Sequence, residues 1–171
     1  NCFLYLRAKK IVLVQYFFRL QALVGFWMVA KIFKVIAPDA DILWLWVLVE
    51  YFGICYFSVE LLAFGYIYKF DKLLPHKIHT IFVIIASINY GVLFTNDYHH
   101  WFYKEILLIH SIRGPYFYFH TTFSYILIMI AISMLVTSKA NSKFNHKDKM
   151  LLLIGLIFPL LTNLAYITRL F

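Results

Sequence analysis

The sequence predicts an all-α integral membrane protein, a polytopic helix bundle with five complete spans of an expected seven. Of its 171 residues, 63% are hydrophobic and only 14% are charged, whereas a water-soluble domain carries about 25% charged residues. So few charges cannot cover a surface that faces water. Five stretches reach about the 20 mostly apolar residues that a helix needs to cross a bilayer. They are residues 11–36, 42–66, 78–94, 117–136 and 150–167.

Each stretch is predicted to be a helix, because a backbone in lipid must satisfy its own hydrogen bonds. Pro38 follows the first span, Pro75 opens the third, and Pro115 opens the fourth, where the missing N–H costs little. Pro159 lies inside the fifth span and is expected to kink it, and Asn163 lies on nearly the same face to bond the carbonyl set free. One more span on either side would make seven, which suits a receptor with an inner output domain.

The distribution of lysine and arginine predicts the orientation, because cytoplasmic loops are enriched in these residues. Ten of them fall on one side: Arg7, Lys9, Lys10, Lys69, Lys72, Lys77, Lys139, Lys143, Lys147 and Lys149. Five fall on the other: Lys31, Lys34, Lys104, Arg113 and Arg169. The prediction is a multi-pass membrane protein, with residues 95–115 outside and loops 67–77 and 137–149 in the cytoplasm. The net charge of +8 reflects clusters that contact anionic headgroups and does not indicate nucleic-acid binding.

Polar and aromatic side chains are concentrated in residues 95–120, which read TNDYHHWFYKEILLIHSIRGPYFYFH. Thr95, Asn96 and Asp97 are turn-forming residues and end the third span. The following run of aromatic and imidazole rings is typical either of an interfacial belt or of a binding site. Apolar residues at helical spacing between residues 101 and 112 predict a short helix in the interface, within an outer loop 95–116.

The outer histidines are candidate ligand or metal contacts. His99, His100, His110 and His120 all lie on the predicted outer side, but adjacent His99 and His100 point in different directions on a helix. No cysteine or paired carboxylate accompanies them, so neither a metal site nor a cofactor is predicted, although zinc remains an alternative.

Ionisable groups inside the spans are costly in lipid and usually face the bundle interior or a water-filled cavity. Glu50 lies one to two turns from the predicted outer end, where it either lines an outward-open pocket or forms a neutral hydrogen bond between helices. Glu60, nearer the inner side, is expected to pair with Arg19 or with an inner lysine.

Catalysis by these residues is not predicted, because no nucleophile–base arrangement, phosphate-binding glycine loop or acid–base carboxylate pair occurs. The two cysteines, Cys2 and Cys55, lie in or beside apolar runs and are read as buried thiols without a disulfide framework.

Three blocks in order resemble a known family. TNDYHHWFY, then GPYFYFHTTFSYILIMIAISMLV, then LLLIGLIFPLLTNLAYI are similar to the N-terminal seven-transmembrane sensor region of bacterial histidine kinases, also found fused to diguanylate cyclases. The resemblance covers nearly the whole chain and implies one transmembrane sensor region over residues 1–171. It implies a location in the bacterial inner membrane, a kinase or cyclase domain on the cytoplasmic side, and a homodimer. The family's motif positions correspond here to Asn96, His99, His100, Gly114, Pro115, His120, Ser124, Tyr125, Pro159 and Asn163.

The predicted function is a membrane-embedded sensor that detects an outer ligand and relays a helix rearrangement to that output domain. The partners are the lipid bilayer, a small or amphipathic ligand and the output domain. The predicted ligand contacts are Glu50, Asn96, His99, His100, Trp101, His120 and Tyr125; Gly114, Pro115, Ser124, Pro159 and Asn163 are predicted structural motif residues. The alternatives are a membrane metalloprotein or transport component with outer histidines as ligands, and a structural membrane subunit.

Overall fold

The computed structural model describes residues 2–106 and 111–138, together with 147, 150, 153–156, 160 and 161, with side chains from residue 12 onward. Five helices and two short strands follow one another in this part of the chain. They are α1 (Cys2–Val35), α2 (Ala40–Phe70), α3 (His76–Phe94), α4 (Asn96–His99), β1 (Tyr103–Glu105), β2 (Ile112–Arg113) and α5 (Pro115–Thr137).

The all-α polytopic membrane fold is confirmed. Among the described residues, four helical segments are long and apolar enough to cross a membrane: Val12–Val35, Ala40–Phe70, His76–Phe94 and Pro115–Thr137. Large apolar side chains such as Phe18, Ile32 and Met129 point outward on these helices, where lipid replaces water as the solvent.

The predicted fifth span, residues 150–167, lies largely outside the described residues. Its described positions 150, 153–156, 160 and 161 are helical. Leu153, Leu156 and Leu160 pack against a buried cluster that includes Leu20 and Leu61.

Local sequence explains where the long helices begin and end. The Asp39 carboxylate accepts a hydrogen bond of 2.8 Å from the backbone N–H of Ile42 and so caps the start of α2. At its other end, Asp71 adopts the left-handed conformation and donates its N–H to the carbonyl of Ile67, which closes the last turn. Pro75 precedes α3, and Pro115 is the first residue of α5.

The central helix is α2, which packs against α1, α3 and α5. Small residues allow the closest approaches: a Cβ at Gly53 would lie 2.5 Å from the Leu23 carbonyl oxygen of α1, and one at Gly65 would lie 3.0 Å from that of Ala131 on α5. Along the chain, α2 and α5 run in the same direction, since Cys55 contacts His120 and Lys69 bonds Thr137.

The buried core has three parts at successive depths. The part below the α3–α5 connection is largely aromatic and contains Val47, Tyr51, Cys55, Leu93, Phe102 and Phe117. The middle part contains Val59, Leu62, Ala86 and Leu127. The part at the opposite end, called here the distal end, contains Leu20, Leu61, Phe64, Ile128, Ala131 and Leu135.

Candidate functional site

A compact segment, here called the cap, covers one end of the bundle between α3 and α5. It comprises residues 95–106 and 111–114 and contains α4 and the antiparallel strands β1 and β2, with Tyr103 opposite Arg113 and Glu105 opposite Ile112. The interfacial helix predicted for residues 101–112 is therefore wrong for the described residues 103–105 and 112. The apolar spacing there is compatible with a helix, but long-range hydrogen bonds hold the backbone extended.

Asn96 supplies three of those hydrogen bonds. Its buried side-chain oxygen accepts the backbone N–H groups of Phe102 at 2.9 Å and Tyr103 at 3.0 Å, and its amide nitrogen donates to the Tyr103 carbonyl at 2.9 Å. One side chain thus satisfies three backbone groups of the segment that enters β1. The role is structural, and an amide is required because it both donates and accepts.

His99 is also occupied within the cap. Its Nδ1 accepts the Trp101 N–H at 3.0 Å, and its Nε2 lies 3.1 Å from the Thr95 hydroxyl, which itself donates to the Gly91 carbonyl at 2.9 Å. This network places the ring proton of His99 on Nε2. Nδ1 accepts from Trp101, and the Thr95 hydroxyl, which already donates its own proton to Gly91, accepts from Nε2. Both ring nitrogens of His99 are therefore engaged in holding the turn after α3.

Phe102 anchors the cap in the bundle. Its side chain is fully buried and lies edge-to-face against Tyr51, with ring centroids 5.1 Å apart, and against Phe117 at 5.9 Å. The neighbouring Tyr103 reaches α2 as well, through a 2.5 Å hydrogen bond between its hydroxyl and that of Tyr51. Apolar burial and aromatic contacts thus fix the cap onto α2 and α5.

Gly114 closes the cap at the start of α5. Its N–H donates to the Phe102 carbonyl at 2.9 Å, and the N–H of Tyr116 donates to the Trp101 carbonyl at 3.0 Å. A Cβ at Gly114 would overlap that Trp101 carbonyl, so the close approach requires glycine. Pro115 then opens the helix without losing a hydrogen bond.

His120 lies beneath the cap in the bundle core. It is buried against the rings of Phe102, at a centroid distance of 5.4 Å, and Tyr51, at 5.8 Å. Its Nδ1 is 4.0 Å from the Cys55 sulfur, a weak hydrogen bond to a soft partner. The predicted motif residue Ser124 follows one turn further along α5 and is also buried.

The structure does not bring Glu50 to the cap. Its carboxylate faces α1, where it accepts from the Lys34 ammonium at 2.7 Å and from the Trp27 indole at 3.2 Å. Glu50 thus bonds between helices, but in an ion pair with Lys34 rather than in the neutral hydrogen bond that was one of its two predicted roles. Of the partners expected for Glu60, Arg19 is confirmed at 3.8 Å, but His79 of α3, which was not predicted, lies closer to the carboxylate at 3.4 Å.

The remaining predicted residues are dispersed. His100 adopts the left-handed conformation and is exposed, Trp101 is 56% exposed beside His99, and Tyr125 is half-buried on α5. His110, Pro159 and Asn163 lie outside the described residues. In the part of the chain with described side chains, no three His, Cys, Asp or Glu residues lie close enough together to hold a metal ion.

Sequence reasoning missed several residues that build this end of the bundle. In the sequence, Phe102 and Tyr51 cannot be distinguished from the other aromatic residues of a hydrophobic chain, and only the fold shows that they contact each other. Tyr116 donates to the Asn89 side-chain oxygen at 2.8 Å, which joins α5 to α3. An asparagine in the middle of a predicted span was the one available signal for this contact.

The order of these features along the chain, from the Asn96 turn through Gly114–Pro115 to His120, agrees with a known family. The model of the N-terminal 7TM region of histidine kinase matches residues 2–171. The chain belongs to this family. It is therefore a membrane sensor module of histidine-kinase signalling, and this region is the non-catalytic part of such proteins. No curated protein and no solved structure matches the chain.

Replacing Asn96 by aspartate is expected to loosen the cap while preserving the shape of the side chain. The substitution removes the donor to the Tyr103 carbonyl and places a carboxylate oxygen against it, at a cost of about 1–3 kcal/mol in the free energy of unfolding. Titration of the bilayer-reconstituted protein with a denaturing detergent measures this cost. The matched control is Asp97→Asn at the adjacent exposed position, expected to change stability by less than about 0.5 kcal/mol. Equal effects of the two substitutions would contradict the structural role of Asn96.

Proposed function

We propose that this sensor detects a small or amphipathic ligand at the cap end of the bundle and relays a helix rearrangement to a cytoplasmic kinase or diguanylate cyclase domain. The cap faces the outside of the bacterial inner membrane in this proposal, and the distal end faces the cytoplasm. The excess of lysine and arginine in the distal connections supports this orientation.

The observation that carries the proposal is the interface between α2 and α5, which extends from the cap end to the distal end. At the cap end, Gly114 joins α5 directly to β2, and Phe117 and His120 touch the cap's anchor Phe102. At the distal end, the Lys69 ammonium donates to the Thr137 hydroxyl at 2.8 Å. A displacement of the cap can therefore be transmitted along α5 to its distal contact with α2.

The tight packing of the two helices favours transmission of such a shift. Gly65 lies against the backbone of Ala131, so the helices cannot be compressed further and must slide or rotate as units. Helix shifts of about 1–2 Å are a common form of switching. A ligand produces such a shift only if it binds one arrangement more tightly than the other.

Among the predicted ligand contacts, His120 has the best support, because it is buried beneath the cap and beside the α2–α5 interface. Asn96 and His99 act through the cap that they hold together. His100 and Trp101 are exposed and suit first contact with an arriving ligand. Glu50 and Tyr125 remain predicted contacts.

A reversible bridge between the distal ends of α2 and α5 tests the relay. In the intact protein, with Cys2 replaced by serine, Lys69→Cys and Thr137→Cys are joined by a short bis-methanethiosulfonate linker and later released with dithiothreitol. We expect the bridge to change ATP-dependent phosphorylation or cyclic di-GMP synthesis in membrane vesicles by about fivefold or more, because allosteric couplings are typically of that size. Release should restore the original rate.

The single variant Thr137→Cys, treated in the same way, is the control for labelling alone. If bridged and released proteins have the same output, the α2–α5 interface does not carry the signal. If the intact protein shows neither phosphorylation nor cyclase activity, the proposed output is wrong.

A further inference from the structure

Several polar side chains are buried in the bundle core without a hydrogen-bond partner. Among the described residues of the core beneath the cap, these are the hydroxyls of Ser58 and Ser124 and the side-chain nitrogen of Asn89, which is 1% exposed. An unpaired buried polar group costs about 1–3 kcal/mol, and lipid supplies no water to relieve it. Three such groups in one region require an explanation.

The three groups lie at adjacent depths on three helices. The Asn89 oxygen accepts from Tyr116, which is one helical turn before His120 on α5, and His120 contacts Cys55. Ser58 is three residues beyond Cys55, and Ser124 is four residues beyond His120. Both serines therefore lie one turn further toward the distal end on the facing sides of α2 and α5.

Other hydroxyls in these helices behave differently. Ser87 donates to the carbonyl of Val83 at 2.9 Å, and Thr137 donates to that of Ser133 at 2.7 Å, the usual way in which a helix satisfies a hydroxyl in lipid. Ser58 and Ser124 do not make this bond. Their hydroxyls are left for a partner that bridges the helices.

We propose that Ser58, Asn89, His120 and Ser124 form an intramembrane binding site for a small uncharged molecule that presents a hydroxyl or carbonyl oxygen. This inference rests on the proposed sensor function. It names the chemical class of the sensed ligand and locates its binding site in the core beneath the cap. In the absence of a ligand, water occupies the same hydrogen-bonding positions.

The neutrality of the ligand follows from the charges around the site. The four proposed contacts are an amide, two hydroxyls and a buried imidazole. The nearest carboxylates of α2 face basic side chains on other helices: Glu50 lies 2.7 Å from Lys34, and Glu60 lies 3.8 Å from Arg19 and 3.4 Å from His79. An ion would therefore lose its hydration without gaining a counter-charge, whereas a hydroxyl or carbonyl would gain donors.

The shape of the ligand follows from the apolar residues on either side. The aromatic cluster around Phe102 and Phe117 lies on the cap side, and Leu62 and Leu127 lie on the distal side. A molecule with one polar end and a short apolar body fits polar contacts that are flanked by apolar side chains.

Solid-state NMR of the protein in bilayers tests the site with two probes, water and 1-hexanol. We expect magnetisation from water to reach the Asn89 side-chain amide quickly despite its burial. Addition of 1-hexanol should displace that water and shift the amide resonance in a saturable manner. Ser58→Ala or Ser124→Ala should weaken the apparent affinity for 1-hexanol about fivefold each, the effect of one lost hydrogen bond.

The matched control is Ser87→Ala, which removes a hydroxyl that already has partners and should leave the hexanol response unchanged. A dry Asn89 amide that does not respond to 1-hexanol would overturn the proposal. Water that 1-hexanol does not displace would also overturn it, because the serines would then hold structural water only. A rise in the unfolding midpoint of Ser124→Ala would agree with a dry core and count against the site.

The relay experiment does not involve Ser58, Asn89 or Ser124. If 1-hexanol has no effect but the bridge between α2 and α5 changes the output, only the proposed binding site is wrong. If 1-hexanol binds saturably but the bridge has no effect, only the proposed relay to an output domain is wrong.

Discussion

Phe102→Ala is expected to lower the free energy of unfolding by about 3–5 kcal/mol, the usual range for removing a buried phenylalanine side chain. Phe102 is fully buried and is the side chain that Tyr51, Phe117 and His120 surround. Because it lies in the cap, much of the loss should appear as detachment of the cap. Hydrogen exchange of the backbone amides of residues 102–105 should rise sharply, whereas that of α2 should rise less.

Trp101→Ala provides the matched control. It removes a larger side chain at the adjacent position, but Trp101 is 56% exposed. Its substitution should cost less than about 1 kcal/mol and leave hydrogen exchange in β1 nearly unchanged. If the two substitutions have equal effects, Phe102 is not the anchor of the cap.

Gly114→Ala is expected to open the cap from its other side. The added Cβ would overlap the Trp101 carbonyl, and relief of this contact would lengthen the two hydrogen bonds that close the cap. Overpacking costs about 1–3 kcal/mol, and each lost hydrogen bond adds about 1 kcal/mol. Detergent-induced unfolding measures the loss, and infrared detection of the β-sheet amide band reports the strands.

Gly91→Ala is the control for the same substitution in a different environment. Nothing lies within 4 Å of a Cβ at Gly91, which is in α3. Alanine there should stabilise the helix by about 0.5–1 kcal/mol. If Gly114→Ala leaves the free energy of unfolding unchanged, the Trp101 carbonyl does not lie as close to Gly114 as it does in the structure.

The helices could be predicted because their determinants are local. Apolar length marks the spans, and Pro75 and Pro115 mark the starts of α3 and α5. Arg19 could be predicted as a partner of Glu60, since an ionisable group inside a span is expected to pair with another one, but the closer contact with His79 was missed.

The cap could not be predicted because its determinants are far apart in sequence. Apolar spacing between residues 101 and 112 indicates a helix, yet Asn96 and Gly114 bind the Phe102 region in an extended form. The side on which Glu50 lies depends on Lys34 of α1, which only the helix packing reveals. That the hydroxyls of Ser58 and Ser124 lack a partner could not be predicted, because a hydroxyl in a span usually bonds its own helix.

The central claim is that the seating of the cap is coupled to the distal ends of α2 and α5. Spin labels at Lys69→Cys and Thr137→Cys, with Cys2 replaced by serine, report the separation of those ends through dipolar broadening of the electron paramagnetic resonance spectrum in bilayers. We expect the distance between the two labels in the Phe102→Ala protein to differ by about 1–2 Å from that in the protein with the native cap. An unchanged separation, while hydrogen exchange shows that the cap has detached, would contradict the coupling.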